Sequence, residues 1–277
     1  MSEHISAKLD RLEASPPLEL HDVDLNMRNP ELVHDELGHV FTYFARVESE
    51  VISEPLQVML PRLGTEYRGY ESQGERFLNI WVAQEQAHGE IFMQLQQKLE
   101  IAPEQPELEV TRQDRILGLI GQASSAMHGV FEMIYLTRGA MHERLTFQGY
   151  ELMAAKLKSL GEQALMESVI KPIRAQEAGH LGYYRAAAKE LKAHLQPWQL
   201  WLARKLSVRS YAPVGARNEK QRAEFGHLAQ TLASKGLDSF SSPIQTIGEE
   251  LLTNGPSPLP RFVLRSISQC VEQQQAA

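Results

Sequence analysis

The sequence predicts an all-α protein: a four-helix bundle with additional helices. Three observations carry this. Apolar residues recur at threes and fours over long segments, no stretch alternates as a strand would, and one short pattern is written almost twice. The copies are AQEQAHG (residues 83–89) and AQEAGHL (175–181).

Residues 1–30 contain Pro16-Pro17 and Asn29-Pro30 and show poor periodicity, so they predict an arm over the body or over a partner subunit. From Glu31 to about Glu54, the residues Leu32, Leu37, Val40, Phe41, Phe44, Val47 and Val51 form one apolar stripe, which predicts the first long helix. The second runs from about Thr65 to Leu99 through Phe77, Ile80, Trp81, Ile91, Phe92 and Leu95. The Pro-rich run IAPEQPELEV (101–110) predicts a connection. A third helix starts near Arg112 and reaches about Leu160, with a break around Gly129. The fourth covers about Glu162 to Leu195, and Pro172 inside it should kink the helix or open its hydrogen-bond ladder. After Pro197 come shorter helices, with loops at 212–215, 239–243 and 254–260. The expected organisation is an arm (1–30), a bundle (31–195) and a helical C-terminal extension packed on it (196–277).

The 277 residues are enough for a large core, and 43% hydrophobic with 23% charged residues is ordinary for a soluble protein. No apolar run reaches the ~18 residues of a membrane span, and the N-terminus lacks the apolar segment of a secretory signal. The single cysteine, Cys270, excludes an intrachain disulfide, so a cytoplasmic location is expected. The net charge of −7 argues against nucleic acid as a partner. Residues 185–222 run against this trend, with nine Lys or Arg and only Glu190 and Glu219 as acids. They form either a solvated basic face or a docking patch for an acidic partner.

A Glu and a His three apart lie on one helix face and can reach one metal ion. The chain contains five such pairs: 31/34, 36/39, 85/88, 177/180 and 224/227. Chance placement gives about one, so the spacing alone does not select a site. Context does. A carboxylate-bridged dimetal centre takes one Glu from each of two helices and Glu-x-x-His from each of two others. Glu85/His88 and Glu177/His180 sit mid-helix on the second and fourth helices. Partners are expected one hairpin upstream, at Glu54, 31 residues before Glu85, and at Glu143, 34 residues before Glu177. Glu50, one turn before Glu54, is the alternative. Four carboxylates and two divalent ions balance in charge. An oxygen-and-imidazole set without thiolate suits iron, with manganese as the alternative. The other three pairs are expected at the surface, Glu31 serving the helix dipole.

With these residues in place, the chain resembles the soluble acyl-[acyl carrier protein] desaturases of the ferritin-like di-iron carboxylate superfamily. The resemblance spans about residues 31–195. It rests on WVAQEQAHG (Trp81, Glu85, His88, Gly89), ERLTF (Glu143, Arg144, Thr146, Phe147), QEAGH (Glu177, His180) and SEPL (Glu54). It implies a ferritin-like bundle with Glu54, Glu85, Glu143 and Glu177 as carboxylate ligands and His88 and His180 as imidazole ligands. It also implies that Thr146 faces an oxygen pocket. The family's members are homodimers that use O2 and two electrons, usually from a ferredoxin, to remove two hydrogens from a carrier-bound acyl chain. The chain departs from the family where Gln84 and Gln176 replace acidic residues, and where Ala87 and Gly179 replace the Arg before each ligand His.

Three readings of the function follow. The first is a desaturase-like oxidoreductase with acyl carrier protein or an acyl thioester as partner. The second is a di-iron oxygenase of small molecules, an N-oxygenase or hydroxylase. N-oxygenases add a His one turn before the fourth-helix Glu, where this chain has Ile173. The third is a non-catalytic helical or iron-handling protein. Gly139 and Ala140 either open a cavity near Glu143 or allow close packing. Met127, Met133, Met141, Met153 and Met166 either line a tunnel or fill the core. Trp81 either lies on an electron path or packs. His128 and His142 are not expected to bind metal.

Overall fold

The computed structural model describes residues 3–50, 70–103, 125–255 and 258–276, and among these it contains helix and connections but no strand. Four long helices form the body: α2 (Pro30–Glu50), α3 (Tyr70–Lys98), α4 (Ser125–Ser159) and α5 (Lys171–His194), preceded by α1 (Glu3–Glu13). α2 packs along α3 and α4 along α5, giving two helical hairpins that face each other. Their apolar stripes meet in one core containing Leu37, Phe41, Phe44, Phe92, Leu95, Met153 and Ile173, all fully buried. Phe44 of α2 stacks on Tyr150 of α4 at 4.6 Å and on Phe92 of α3 at 5.6 Å, locking three helices around one ring. Full burial of such a ring contributes about 1.5–3 kcal/mol.

The bundle differs from the sequence expectation in three places and meets it at Pro172. Part of the arm is helical. In α1, Ile5, Leu9 and Leu12 recur at fours and threes and are buried against α5 and α3. This short stripe is interrupted by charges on either side, which hides it in the sequence. α4 is continuous through Gly129, whose missing side chain leaves room for Leu195. The predicted ladder defect at Pro172 takes the form of a π-turn, Met166–Ile170, immediately before α5. Proline offers no N–H to the preceding turn, and widening that turn is one way to absorb the loss. The predicted loop at 239–243 lies inside a helix, with Pro243 in its interior. Pro243 has no N–H to donate to the Ser239 carbonyl one turn earlier, and Ser239 lies on the exposed side, while Phe240, Ile244 and Leu251 are buried. The expected connection at 101–110 falls within the described residues only for 101–103, which are non-helical.

The C-terminal part packs on the bundle through α6 (Pro197–Ser210) against α4, α7 (Glu219–Leu232) against α2, and α8 (Leu237–Leu252) across α4 and α5. α9 (Phe262–Ala276) lies on α7. Arg46 of α2 fastens this layer. Its guanidinium reaches Glu50 at 3.0 Å, Glu224 of α7 at 2.8 Å and the Gly215 carbonyl at 3.2 Å. No helix among the described residues is long and apolar enough to cross a membrane.

Candidate metal centre

One carboxylate or Glu-x-x-His pair projects from each long helix into the middle of the bundle. Two sets of four ligand atoms result, each set within 4.8 Å: Glu48, Glu85, His88 and Glu177, and Glu85, Glu143, Glu177 and His180. Glu85 and Glu177 belong to both. Two ions held here would share Glu85 and Glu177, with Glu48 and His88 completing one set and Glu143 and His180 the other. All six side chains are buried.

Glu48 holds the position on α2. It continues the stripe of Phe41 and Phe44, seven and four residues earlier, so a carboxylate interrupts a face that is otherwise apolar. Glu50, two residues on, points to the opposite side and pairs with Arg46. Glu54 lies outside the described residues. Gly89 makes the approach of α2 and α3 possible, because a Cβ there would stand 2.9 Å from Ser49 Oγ and 3.3 Å from Ser49 N.

Each outer carboxylate is held by one aromatic donor. The Tyr150 hydroxyl donates to Glu48 Oε1 at 2.6 Å, and Trp81 Nε1–H donates to Glu143 Oε1 at 3.1 Å. The second oxygen of each turns inward, Glu48 Oε2 lying 4.0 Å from His88 Nδ1 and Glu143 Oε2 3.6 Å from His180 Nδ1. Tyr150 went unrecognised in the sequence. Its position two turns beyond Glu143, on the same face, is the signal that was available.

The histidines are arranged crosswise. His88 Nε2 meets Gln176 Oε1 at 2.7 Å, and His180 Nε2 meets Gln84 Oε1 at 2.6 Å. An amide oxygen only accepts, so Nε2 carries the proton and Nδ1 is a bare lone pair. Nδ1 of His88 lies 3.2 Å from Glu177 Oε1, and Nδ1 of His180 lies 3.0 Å from Glu85 Oε1. These four atoms are buried without a hydrogen-bond partner. A lone pair facing a carboxylate oxygen inside a core needs a positive centre between them, either a proton on the carboxyl or a cation in its place.

The electrostatics agree. Burial pushes the Glu48, Glu85 and Glu177 carboxyls up, Glu48 and Glu177 well above the ordinary range, and neighbouring carboxylates add to the shift on Glu48 and Glu177. Burial also holds His88 down at about 3, so its imidazole stays neutral. Such groups are ready to exchange protons for divalent ions.

Thr146, expected to face an oxygen pocket one turn from Glu143, donates its hydroxyl to the His142 carbonyl of its own helix at 2.7 Å. His142 Nε2 faces the Ala212 carbonyl. Gly139 opens no cavity: a Cβ there would fall 2.4 Å from the Tyr184 ring, which fills the space. Met133, Met141, Met153 and Met166 are buried core residues. Two of the pairs expected at the surface instead meet across α2 and α7, where His39 stacks on His227 at 3.8 Å and Glu224 binds Arg46. No family model matches the chain, and no curated protein matches it in sequence.

Proposed function

We propose that the chain is an O2-dependent di-iron oxidoreductase that resembles the acyl-[acyl carrier protein] desaturases and acts on an apolar, carrier-bound acyl chain. The observation that supports it best is the pair of overlapping four-ligand sets sharing Glu85 and Glu177. Two iron ions held there supply the reduction of O2 and the oxidising power to take hydrogen from an unactivated C–H bond.

The chain's own residues do the rest. Glu48, Glu85, Glu143 and Glu177 cancel the charge of two divalent ions, so the loaded centre is neutral in a dry core. Tyr150 and Trp81 fix the outer carboxylates, and Gln84 and Gln176 fix the imidazole rings. Phe77, Trp81 and Tyr184 wall the centre beside Glu143 and keep water out. An acidic partner, carrier protein or electron donor, finds a matching surface on α6, where Trp198 and Trp201 are 47% and 59% exposed and Lys205 lies over Trp201.

The Tyr184 ring supports a second reading. It fills the space at Gly139, one turn before Glu143, that the sequence offered as a cavity, so hydroxylation of a smaller substrate fits that wall better than a long chain does. Anaerobic Fe(II) titration followed by O2 exposure tests the common part. Two irons per chain and an oxo-bridged absorption are expected; Glu143→Ala should lose the second iron, the absorption and O2 consumption while helicity remains. Unchanged iron loading in that variant overturns the proposal. O2 consumption stimulated by acyl thioesters, or by small aromatic and aliphatic substrates instead, separates the two readings.

A further inference from the structure

The two glutamines that hold the histidines are themselves held from outside the bundle. Gln84 Nε2 donates to the Ser15 carbonyl at 2.5 Å, and Gln176 Nε2 donates to the Pro16 carbonyl at 2.7 Å, with Ser15 Oγ at 3.4 Å. Both acceptors belong to the arm, on consecutive residues just after α1. A carboxamide has one accepting and one donating end. A backbone carbonyl on one side therefore decides which end faces the imidazole on the other. Had the arm offered N–H groups here, the amides would turn over and present N–H to the histidines, moving the ring protons to Nδ1.

The arm is seated so that these carbonyls have a fixed place. Leu12 fills the space left by Gly179, where a Cβ would come within 2.5 Å of it. Arg76 of α3 binds Asp10 at 2.9 Å and also binds Glu13. Further along, Glu162 accepts from the Arg28 and Asn29 backbone at 2.9 and 2.8 Å.

We propose that the N-terminal arm is a positioning element of the metal centre. The Ser15 and Pro16 carbonyls orient Gln84 and Gln176, and these lock His180 and His88 with the proton on Nε2 and the Nδ1 lone pairs aimed at the carboxylates. Neither glutamine ligates an ion; each acts through the histidine of the other motif. The inference rests on the metal-centre reading above, but the ring tautomer is measured on metal-free protein and does not depend on it.

The test uses the full chain labelled with 15N-histidine, read by long-range 15N–1H correlation without metal and then by anaerobic Fe(II) titration. In the native chain both rings are expected as the Nε2–H form. Gln84→Leu should release His180 alone to a tautomer mixture, and Gln176→Leu should release His88 alone. Each should weaken binding of one ion about 10–100-fold. Leu12→Asp, which lifts the arm off α5 at Gly179 and changes neither glutamine nor any ligand, should release both rings. Gln84→Glu keeps the acceptor toward His180 and loses the donor toward Ser15. It should therefore retain the Nε2–H form while residues 1–17 become more open to proteolysis. Unchanged tautomers and iron affinity in both Leu variants and in Leu12→Asp overturn the proposal. If the native chain binds no metal, the proposed function fails, and the tautomer shifts still decide the role of the arm.

Discussion

Raising the pH should destabilise the metal-free protein and leave the metal-loaded protein nearly unaffected. In the unfolded chain the Glu48, Glu85 and Glu177 carboxyls ionise near 4.5, whereas in the folded, metal-free chain burial raises all three. Above pH 4.5 the folded state therefore holds protons that the unfolded state has released. Stability then falls with pH by about 1.4 kcal/mol per pH unit for each proton so held. One to three protons give a slope of roughly 1.4–4 kcal/mol per unit, against a total stability of about 5–15 kcal/mol for a typical domain. His88 has the opposite sign. Its folded-state value is lowered to about 3, so it destabilises only below its unfolded value of 6.5 and contributes nothing to the loss above it. The window to watch is thus pH 6.5 to 8, where buried Glu132, raised to about 7, also contributes, with or without metal, so the difference between the two conditions reads the centre.

The assay is urea unfolding followed by circular dichroism at pH 6.5, 7.25 and 8, once with chelator and once with excess Mn(II) as an air-stable ion. With chelator the midpoint should drop steadily. With metal the ions replace the protons, the slope should shrink, and at a hundredfold excess over the dissociation constant the gain should be about 2.7 kcal/mol. A flat response of the chelated protein across this window would refute the argument that the carboxyls are protonated for want of a cation.

Other perturbations separate the centre from its scaffold. Glu48→Ala should reduce loading from two irons to one per chain, because Glu143 and His180 keep their set; calorimetric titration reads the stoichiometry. Arg46→Leu should cost about 3–5 kcal/mol by leaving buried Glu50 without its partner, read by thermal melting, with iron stoichiometry unchanged. Gly139→Ala should cost about 1–3 kcal/mol, since the added methyl drives into the Tyr184 ring, and near-ultraviolet dichroism should report the displaced tyrosine.

The spacing of apolar residues at threes and fours made the long helices legible, although α4 is buried or half-buried all round from 127 to 150 and has no wet face there to mark it. Five of the six expected ligands converge in the structure: Glu85, His88, Glu143, Glu177 and His180. The first helix was harder for a physical reason. Three acids, Glu48, Glu50 and Glu54, stand within seven residues of sequence, the last outside the described residues, and hairpin spacing fixes a ligand only to within the length of a loop. The stripe carries the missing information. Glu48 shares a face with Phe41 and Phe44, and Glu50 shares one with Arg46. The arm was illegible for another reason, since backbone carbonyls are the same in every sequence. Nothing in the identity of Ser15 or Pro16 announces that their carbonyls hold two glutamines.

The repeated heptapeptide has a fuller explanation than its Glu-x-x-His core. Chance places about one such pair in a chain of this composition, but it does not place a Gln four residues before the His in both copies. On a helix that Gln shares a face with the His of its own motif, yet its amide oxygen does not bond to it. It serves the His of the facing helix instead, so Gln84 completes His180 and Gln176 completes His88. The same reciprocity holds for the carboxylates, since each inner Glu lies nearest the imidazole of the opposite motif. Neither copy can then make a working half-site alone. That mutual dependence favours both copies keeping the same residues, and it makes each glutamine, though no ligand itself, as much part of the centre as the glutamate beside it.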